Sequence, residues 1–323
     1  MTMHTYRTAI NEALSEEMEN DSKVFLIGED LSPGGVCDVT KGLAVKFGEK
    51  RVIDTPIAET AIVGAAIGAA MAGLRPVVEI QNQGWIFVCM DGICNWAAKQ
   101  RFTSGGKAKV PITIRAPYGI SGFGPHHSQS LEACFHNIPG LQILMPSTPS
   151  DAKGLLKTAI RTNDPVLFFE STASYDMEEE IHEGEYTIPL GKADIRRLGK
   201  DVTIISTGSI VRKALSAAEE LAMEGIECEI IDPRSILPLD QETILTSVAK
   251  TNRVVIAHEA PKIGGIGGEI AAIIAEKHFN KLKAPIIRLG APFSPCPRPP
   301  YEESYLPNKD KILSAVKKIF LEN

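Results

Sequence analysis

The tightest grouping of chemically capable residues runs from Asp54 through Thr55-Pro56-Ile57-Ala58 to Glu59, then into a Gly/Ala-rich stretch that ends at Gly73. One carboxyl heads a helix built almost wholly of small and apolar residues. A carboxyl flanked by apolar groups resists ionisation and can hold or pass a proton. The same position also complements the positive end of a helix dipole, which requires no chemistry. Gly64 and Gly68 fall one turn apart on one face, and small residues there let another helix approach closely.

A second grouping is Gly119-Ile-Ser-Gly122-Phe-Gly124-Pro-His126-His127-Ser-Gln129-Ser130. Glycines permit unusual backbone angles, and a histidine carried on such a loop can project into a cleft. Histidine titrates near neutrality and suits proton transfer or oxyanion stabilisation. A surface hydrogen-bonding role accounts for the pair equally well. A third segment, Lys262-Ile-Gly264-Gly-Ile-Gly-Gly268-Glu269, invites a dinucleotide reading. With Gly265 and Gly267 as the first two glycines of the fingerprint, the third falls on Ile270 and the pattern fails. No G-x-x-x-x-G-K-[ST] loop is present. The segment reads as a tight turn that starts a helix close to a sheet.

These residues need elements to position them. Helices are expected over Thr5–Asn20, Thr60–Ala72, Phe87–Phe102 and Ser150–Arg161. Strands are expected at Lys23–Ile27, Arg51–Asp54, Pro76–Ile80, Pro111–Arg115, Gln142–Met145 and Val166–Glu170. Short apolar strands alternating with helices indicate a parallel, doubly wound α/β sheet covered on both faces. From Ser171 to Leu190 the pattern breaks at the charge run Met177–Glu180 and at Gly184, Pro189 and Gly191. This divides the chain into domains at 1–185 and 186–323. The second half repeats the alternation, with strands at Asp201–Ser206, Glu227–Ile231, Arg253–Ala257 and Pro285–Leu289. Its helices are Ile210–Glu224, Gln241–Val248, Glu269–His278 and a final Asp310–Glu322. Between the last strand and last helix, Pro292, Pro295, Pro297, Pro299 and Pro300 impose an irregular, extended segment.

Composition narrows the functional classes. The 323 residues carry 34 basic and 40 acidic side chains, a net charge of −6, which disfavours non-specific binding to nucleic acid or to an anionic membrane. The longest small and apolar run, Ala61–Gly73, is shorter than the ~20 residues that span a bilayer. Met1–Lys23 shows neither a signal-peptide core nor an Arg-rich transit pattern. Cys37, Cys89, Cys94, Cys134, Cys228 and Cys296 form no C-x-x-C pair and suit neither a zinc site nor a disulfide framework, so they read as reduced thiols of a cytoplasmic protein.

In order and spacing, the chain resembles the beta subunit of the decarboxylating component of 2-oxo acid dehydrogenase complexes. That family includes the pyruvate, branched-chain 2-oxo acid and acetoin enzymes and is related to the transketolases. The likeness is carried by Gly28-Glu-Asp30, Val39-Thr-Lys-Gly-Leu43, Arg51-Val-Ile-Asp-Thr-Pro-Ile57, Ile62-Val-Gly64 and Gly73-Leu-Arg-Pro76. It continues through Ser104-Gly-Gly106, His127-Ser-Gln129, Pro139-Gly-Leu141, Pro146-Ser-Thr-Pro149 and Asp151-Ala-Lys-Gly-Leu-Leu156. It closes with Asp232-Pro-Arg-Ser-Ile-Leu-Pro-Leu239.

The resemblance implies a thiamine diphosphate pyrimidine-binding domain followed by a transketolase C-terminal-like domain used for subunit packing and docking. It implies an alpha subunit that holds Mg2+ and the diphosphate, consistent with this chain having no Gly-Asp-Gly. It further implies a heterotetramer of two alpha and two beta chains, and a lipoyl-bearing acyltransferase core that receives the acyl group from a 2-oxo acid or from acetoin. Glu59 falls on the glutamate that hydrogen-bonds the pyrimidine nitrogen, and His127, rather than His126, on an active-site histidine. Gln81 and Trp85 are implied to flank the pyrimidine, within a stretch from Gln81 through Gln83 to Cys89 that departs from the family's more aromatic pattern. Glu29 and Asp91 match acidic positions between cofactor sites, or are plain turn acids. A potassium ion held by backbone carbonyls is implied near Ile112, Ala159, Ile160, Thr162 and Asp164, where an ordinary helix end is the other reading. A single-chain transketolase-like enzyme and a non-catalytic assembly subunit remain the alternatives.

Overall fold

The computed structural model describes residues 2–182 and 184–321. It divides into two compact units. The first comprises residues up to Tyr118 together with Cys134–Leu190, and the second comprises Gly119–Ala133 together with the residues from Gly191 onward.

In the first unit, helix α1 (Tyr6–Asn20) begins where Thr5 accepts the Thr8 N–H on its hydroxyl at 3.2 Å, a side-chain N-cap. Strand β1 (Val24–Gly28) follows, then β2 (Val52–Asp54), helix α2 (Glu59–Met71), β3 (Arg75–Glu79) and β4 (Thr113–Tyr118). After β5 (Gln142–Leu144), helix α3 (Pro149–Arg161) is capped by Thr148 and carries a proline in its first turn, where no N–H is missed. Strand β6 (Val166–Ser171) completes the series. The strands run in the order β5-β6-β4-β3-β1-β2, and all of these pairings are parallel. Strands β1 and β6 are buried at every position, as a sheet covered on both faces requires. Gly28 is level with both Asp54 and Glu79, and Glu79 with Arg115. The residues after these strands therefore emerge along one carboxyl-end edge, where open α/β sheets place their sites.

The second unit holds β7 (Asp194–Arg197), β8 (Val202–Ser206), α4 (Ile210–Met223), β9 (Cys228–Asp232), α5 (Gln241–Thr251), β10 (Val254–Pro261), α6 (Gly267–His278), β11 (Ile287–Ala291) and α7 (Lys309–Leu321). Its order is β11-β10-β8-β9-β7, parallel except for the antiparallel edge strand β7. Val202, Ile204, Ile230 and Val255 from the sheet meet Ala214, Leu221 and Val316 from the helices in its core. The proline-rich segment after β11 is irregular, as its composition requires.

Three stretches differ from the sequence expectation. Phe87–Phe102 is not one helix. It folds as a 3-10 turn (Gln83–Cys89), a π-helical turn (Gly92–Ala97) and a short α-turn (Gln100–Thr103). The charge run near Met177 forms a strand, Glu178–Ile181, antiparallel to Thr2–Thr5. The final helix begins at Lys309, and Glu322, the expected last residue, lies outside the described residues. Among the described residues no helix is long and apolar enough to cross a membrane.

Candidate active site

Glu59 is the first residue of α2 and is only partly buried. The helix turns Ile62, Val63, Ala66, Ile67 and Ala70 inward, so its amino end is fixed by packing rather than by a side-chain cap. Thr60 Oγ1 donates to the Val88 carbonyl at 3.0 Å and ties that end to the 3-10 turn bearing Trp85.

Glu29, one residue past β1, lies within electrostatic reach. Its carboxyl is pushed up from its ordinary value, first by burial, then by the charges of Glu59 and Asp30. Gln81, just past β3, donates its Nε2 to the Glu29 carbonyl at 3.0 Å. Cys89 is buried, and its thiol is pushed up to about 12, mainly by burial, with Glu59 and Cys94 adding to the effect. Trp85 is half-buried and Gln83 fully buried. The sheet edge therefore gathers Glu59, Glu29, Gln81 and the Trp85 turn in one unit. Asp91 stands apart from this group: it is exposed and accepts Asn95 Nδ2 at 2.7 Å, an ordinary i,i+4 pair.

Behind this edge sits a cluster the sequence reading missed. Arg115 is 2% exposed and reaches Glu79 and Glu170, both equally buried. Glu79 also accepts the Val36 N–H at 2.8 Å and so anchors the loop that follows Glu29 and Asp30. A Cβ on Gly35 would lie 2.4 Å from Glu79 Oε1, so glycine is required for that close approach. The available signal was a charged residue inside each of three apolar strands, PVVEI, PITIR and VLFFE.

The two histidines lie on the loop that groups with the second unit. His126 is exposed, and its carbonyl accepts Gln129 Nε2 at 2.9 Å. His127 is half-buried, its N–H bonded to the Gly124 carbonyl at 3.1 Å and its ring edge-on to Phe123 at 6.5 Å. Gly119 and Gln129 close the loop through a backbone bridge at 2.7 Å. Gly124, at φ +94°, needs glycine, since a Cβ there would also meet the Arg298 guanidinium at 3.3 Å.

At the end of α3, the carbonyls of Ile160 and Thr162 accept Arg75 Nη1 at 2.9 and 2.8 Å, and Asn163 Oδ1 accepts Nη2 at 3.0 Å. The Ile112 carbonyl accepts the Val166 N–H, and Asp164 is paired with Arg101. Ala159 is buried in the last turn. Two of the carbonyls expected to face potassium, those of Ile160 and Thr162, thus accept a guanidinium of the same chain. The glycine-rich turn Lys262–Glu269 leads into α6, and its Gly265 and Gly267 leave room for the buried ring of His258. Among the described residues, no cluster of His, Cys, Asp and Glu could hold a metal ion.

Residues 2–177 match the transketolase pyrimidine-binding domain, and residues 191–312 the transketolase C-terminal domain. The chain is 50% identical to the acetoin:2,6-dichlorophenolindophenol oxidoreductase subunit beta of Bacillus subtilis, covering 95% of this chain and 94% of that one. It is 47% identical to the 2-oxoisovalerate dehydrogenase subunit beta of the same organism, covering 99% of each. Its identity to that organism's pyruvate dehydrogenase E1 component subunit beta is 43%, again over 99% of each. Among solved structures, a split-gene transketolase described as an inactive beta4 tetramer superposes with a TM-score of 0.82 at 25% identity, over 98% of both chains.

Proposed function

The chain belongs to the beta subunits of thiamine diphosphate-dependent 2-oxo acid and acetoin dehydrogenases, and from that membership we propose that it carries the pyrimidine-facing half of an active site completed by an alpha subunit. The gathering of Glu59, Glu29, Gln81 and the Trp85 turn along one carboxyl-end sheet edge is the observation that carries this reading. The residues present suit the pyrimidine end of thiamine diphosphate: a partly exposed carboxyl at a helix head, a second carboxyl held toward its neutral form, and a tryptophan on the adjoining turn. When bound, the cofactor supplies the carbanion chemistry that attacks a carbonyl carbon.

Glu59 binds and orients the ring through its nitrogen and holds the proton that this hydrogen bond requires. Glu29 is discouraged from ionising by burial first and by Glu59 second, so it takes up a proton more readily than an ordinary carboxyl does. Trp85 offers an apolar wall, and Gln81 fixes the Glu29 backbone. His127 is the donor or proton carrier toward substrate oxygens and the incoming lipoyl group. Diphosphate and Mg2+ fall to the alpha subunit. A potassium ion held at the end of α3 by the carbonyls of Ile112, Ala159, Ile160, Thr162 and Asp164 would share two of them, Ile160 and Thr162, with Arg75. Exposed apolar side chains on the first unit, among them Ile57, Met71, Phe87, Val88 and Trp96, support a chain that is covered by other subunits. We take the assembly to be two alpha and two beta chains feeding a lipoyl-bearing acyltransferase core. The six free cysteines favour a reducing, cytoplasmic setting.

Within the family, the substrate is a 2-oxo acid, pyruvate or a branched-chain acid, or acetoin. The acetoin-type chain is the most similar of the three relatives described, which makes acetoin the first substrate to assay. In the reconstituted alpha–beta complex, Glu59→Gln should lower turnover by about 10²–10⁴-fold, as removal of a positioned proton carrier does, with assembly retained. Full activity in that variant would overturn the assignment. Turnover by the chain alone would favour a single-chain transketolase-like enzyme. Failure of the complex to bind thiamine diphosphate by calorimetry would leave an assembly role.

A further inference from the structure

The loop that carries His126 and His127 rests on two buried carboxyls that no expectation had singled out. Glu132 is 0% exposed and closes the loop's carboxyl end. Ser130 Oγ donates to its Oε2 at 2.7 Å, and its own backbone N–H leans on the carboxyl. Among the described residues no other donor reaches Oε1. Glu259, near the end of β10, is 4% exposed and accepts Ser209 Oγ on Oε1 at 2.5 Å. It lines a cavity of about 340 Å³ whose walls include Ile120, Gln129, Leu131, Phe293 and Cys296. The roof of that cavity is thus the histidine loop itself. The loop is also pinned by Ser121, whose N–H and hydroxyl both meet Ser128 Oγ at 3.1 Å, while Ser128 in turn bonds the Cys296 thiol.

Burial holds both carboxyls above their ordinary range. For Glu259 the charge of Glu132 adds to that pressure, while Ser209 and Lys213 act against it. Lys213 acts on Glu259; Cys296, whose thiol burial raises, and Tyr305 line the cavity with it; Glu302 acts on Cys296; and the Arg298 guanidinium lies against Gly124 of the loop. A hydroxyl and a backbone N–H apiece do not replace the hydration a carboxylate has in water, so burial still outweighs what the surroundings return. The cheapest relief is for the loop that roofs the cavity to open and admit water.

We propose that Glu132 and Glu259 are positioning residues that hold protons beneath the His126–His127 loop, keeping it seated while they are uncharged and releasing it when they ionise. The inference rests on the reading of His127 as an active-site residue only for its functional meaning. The proton store itself does not depend on it. Neither carboxyl touches substrate; both act through the loop.

The alpha–beta complex provides the test, by two readouts that require no turnover. At about pH 7.5, where free carboxyls are ionised, the infrared spectrum of wild type should contain a protonated-carboxyl band that Glu132→Gln/Glu259→Gln lacks. Hydrogen-exchange protection factors for residues 119–131, corrected for intrinsic exchange, should fall about tenfold between ~pH 6.5 and ~pH 9 in wild type. In Glu132→Gln/Glu259→Gln that fall should shrink to about twofold or less, because neither amide can ionise. Absence of the band, or pH-independent protection in wild type, would overturn the proposal even if the variants failed to fold. If the loop behaves as expected while His127→Ala leaves turnover intact, the catalytic reading of His127 fails and the proton store stands.

Discussion

Arg115 and Glu170 lie on neighbouring parallel strands, and the guanidinium grips the carboxylate with two hydrogen bonds, Nε to Oε1 at 2.6 Å and Nη2 to Oε2 at 3.0 Å. Tyr175 donates to the same carboxylate at 2.7 Å, while Glu79 takes the remaining Nη1 at 2.7 Å. Burial works against the charge on Arg115, but Glu170 and Glu79 more than offset it and raise its pKa. Glu79 is the weaker partner, with burial pushing it up against the pull of Arg115. Arg115→Met should therefore cost about 3–5 kcal/mol, since it leaves two buried carboxyls facing each other. Glu79→Gln keeps an acceptor for the Val36 N–H and should cost about 1 kcal/mol. Urea denaturation followed by circular dichroism ranks the two, and the reverse order would refute the argument.

A second contrast concerns α1 and α3, which are joined by ion pairs of unequal dependence. Lys157 is fully buried but pairs with Glu16 and Glu185, whose carboxyls reach solvent. Arg161 grips Glu17, which is 3% exposed, through Nε at 2.9 Å and Nη2 at 2.5 Å. Replacing Lys157 with Met leaves partners that can hydrate and fills the space with a similar chain, so about 1 kcal/mol or less should be lost. Arg161→Ala strands a buried carboxylate and should cost about 3 kcal/mol. Equal losses in the two variants would show that solvent access to the abandoned partner is not what decides the cost.

The glycine-rich turn before α6 makes a different prediction. His258 is 1% exposed and its pKa is pushed down to about 4 by burial, so the ring is neutral. Ala260 offers only an acceptor, which places the ring proton on Nδ1 at 3.1 Å from it. A Cβ on Gly267 would lie 2.7 Å from Nε2 and 2.9 Å from Cδ2 of that ring. Gly267→Ala should cost about 1–3 kcal/mol by overpacking, and far less in a His258→Ala background. A double-mutant cycle on unfolding free energies measures this. An unchanged penalty without the ring would mean that the glycine serves the backbone instead.

The strands were legible because each is a short apolar run between turn residues, and buried parallel strands read that way. The helix that Glu59 heads was legible from its Gly/Ala run, and it begins at that residue. The segment from Gln83 to Thr103 was not, because its apolar residues keep no single period. Ile86, Cys89, Ile93 and Ala97 are buried by a chain that changes helix type twice. The Glu178–Ile181 strand was hidden by its charges, one of which has a local use: Glu179 accepts both the N–H and the hydroxyl of Ser150 at the head of α3. Arg75 at the expected cation site, and Glu132 with Glu259 under the histidine loop, are long-range meetings. Local pattern cannot register them, since each partner alone looks like an ordinary charge.

The pairing of Glu29 with Glu59 has a pH signature whose sign is fixed. Glu29 is raised by burial first and by Glu59 second, so the folded chain binds its proton more tightly than the unfolded chain does. Stability from this group is complete below the ordinary carboxylate value, falls as pH rises through the raised folded value, and is level above it. Glu29→Gln should flatten that part of the stability curve. Glu59→Gln should narrow it from the upper side, because one of the two named carboxyl neighbours no longer repels. Urea midpoints taken at half-unit steps from about pH 4 to about pH 7, each expressed as the difference from wild type, isolate the contribution from the other carboxyls. A Glu29→Gln curve parallel to wild type across that window, or a Glu59→Gln window wider than wild type, would separate the two residues and remove the carboxyl pair on which the proposed cofactor contact depends.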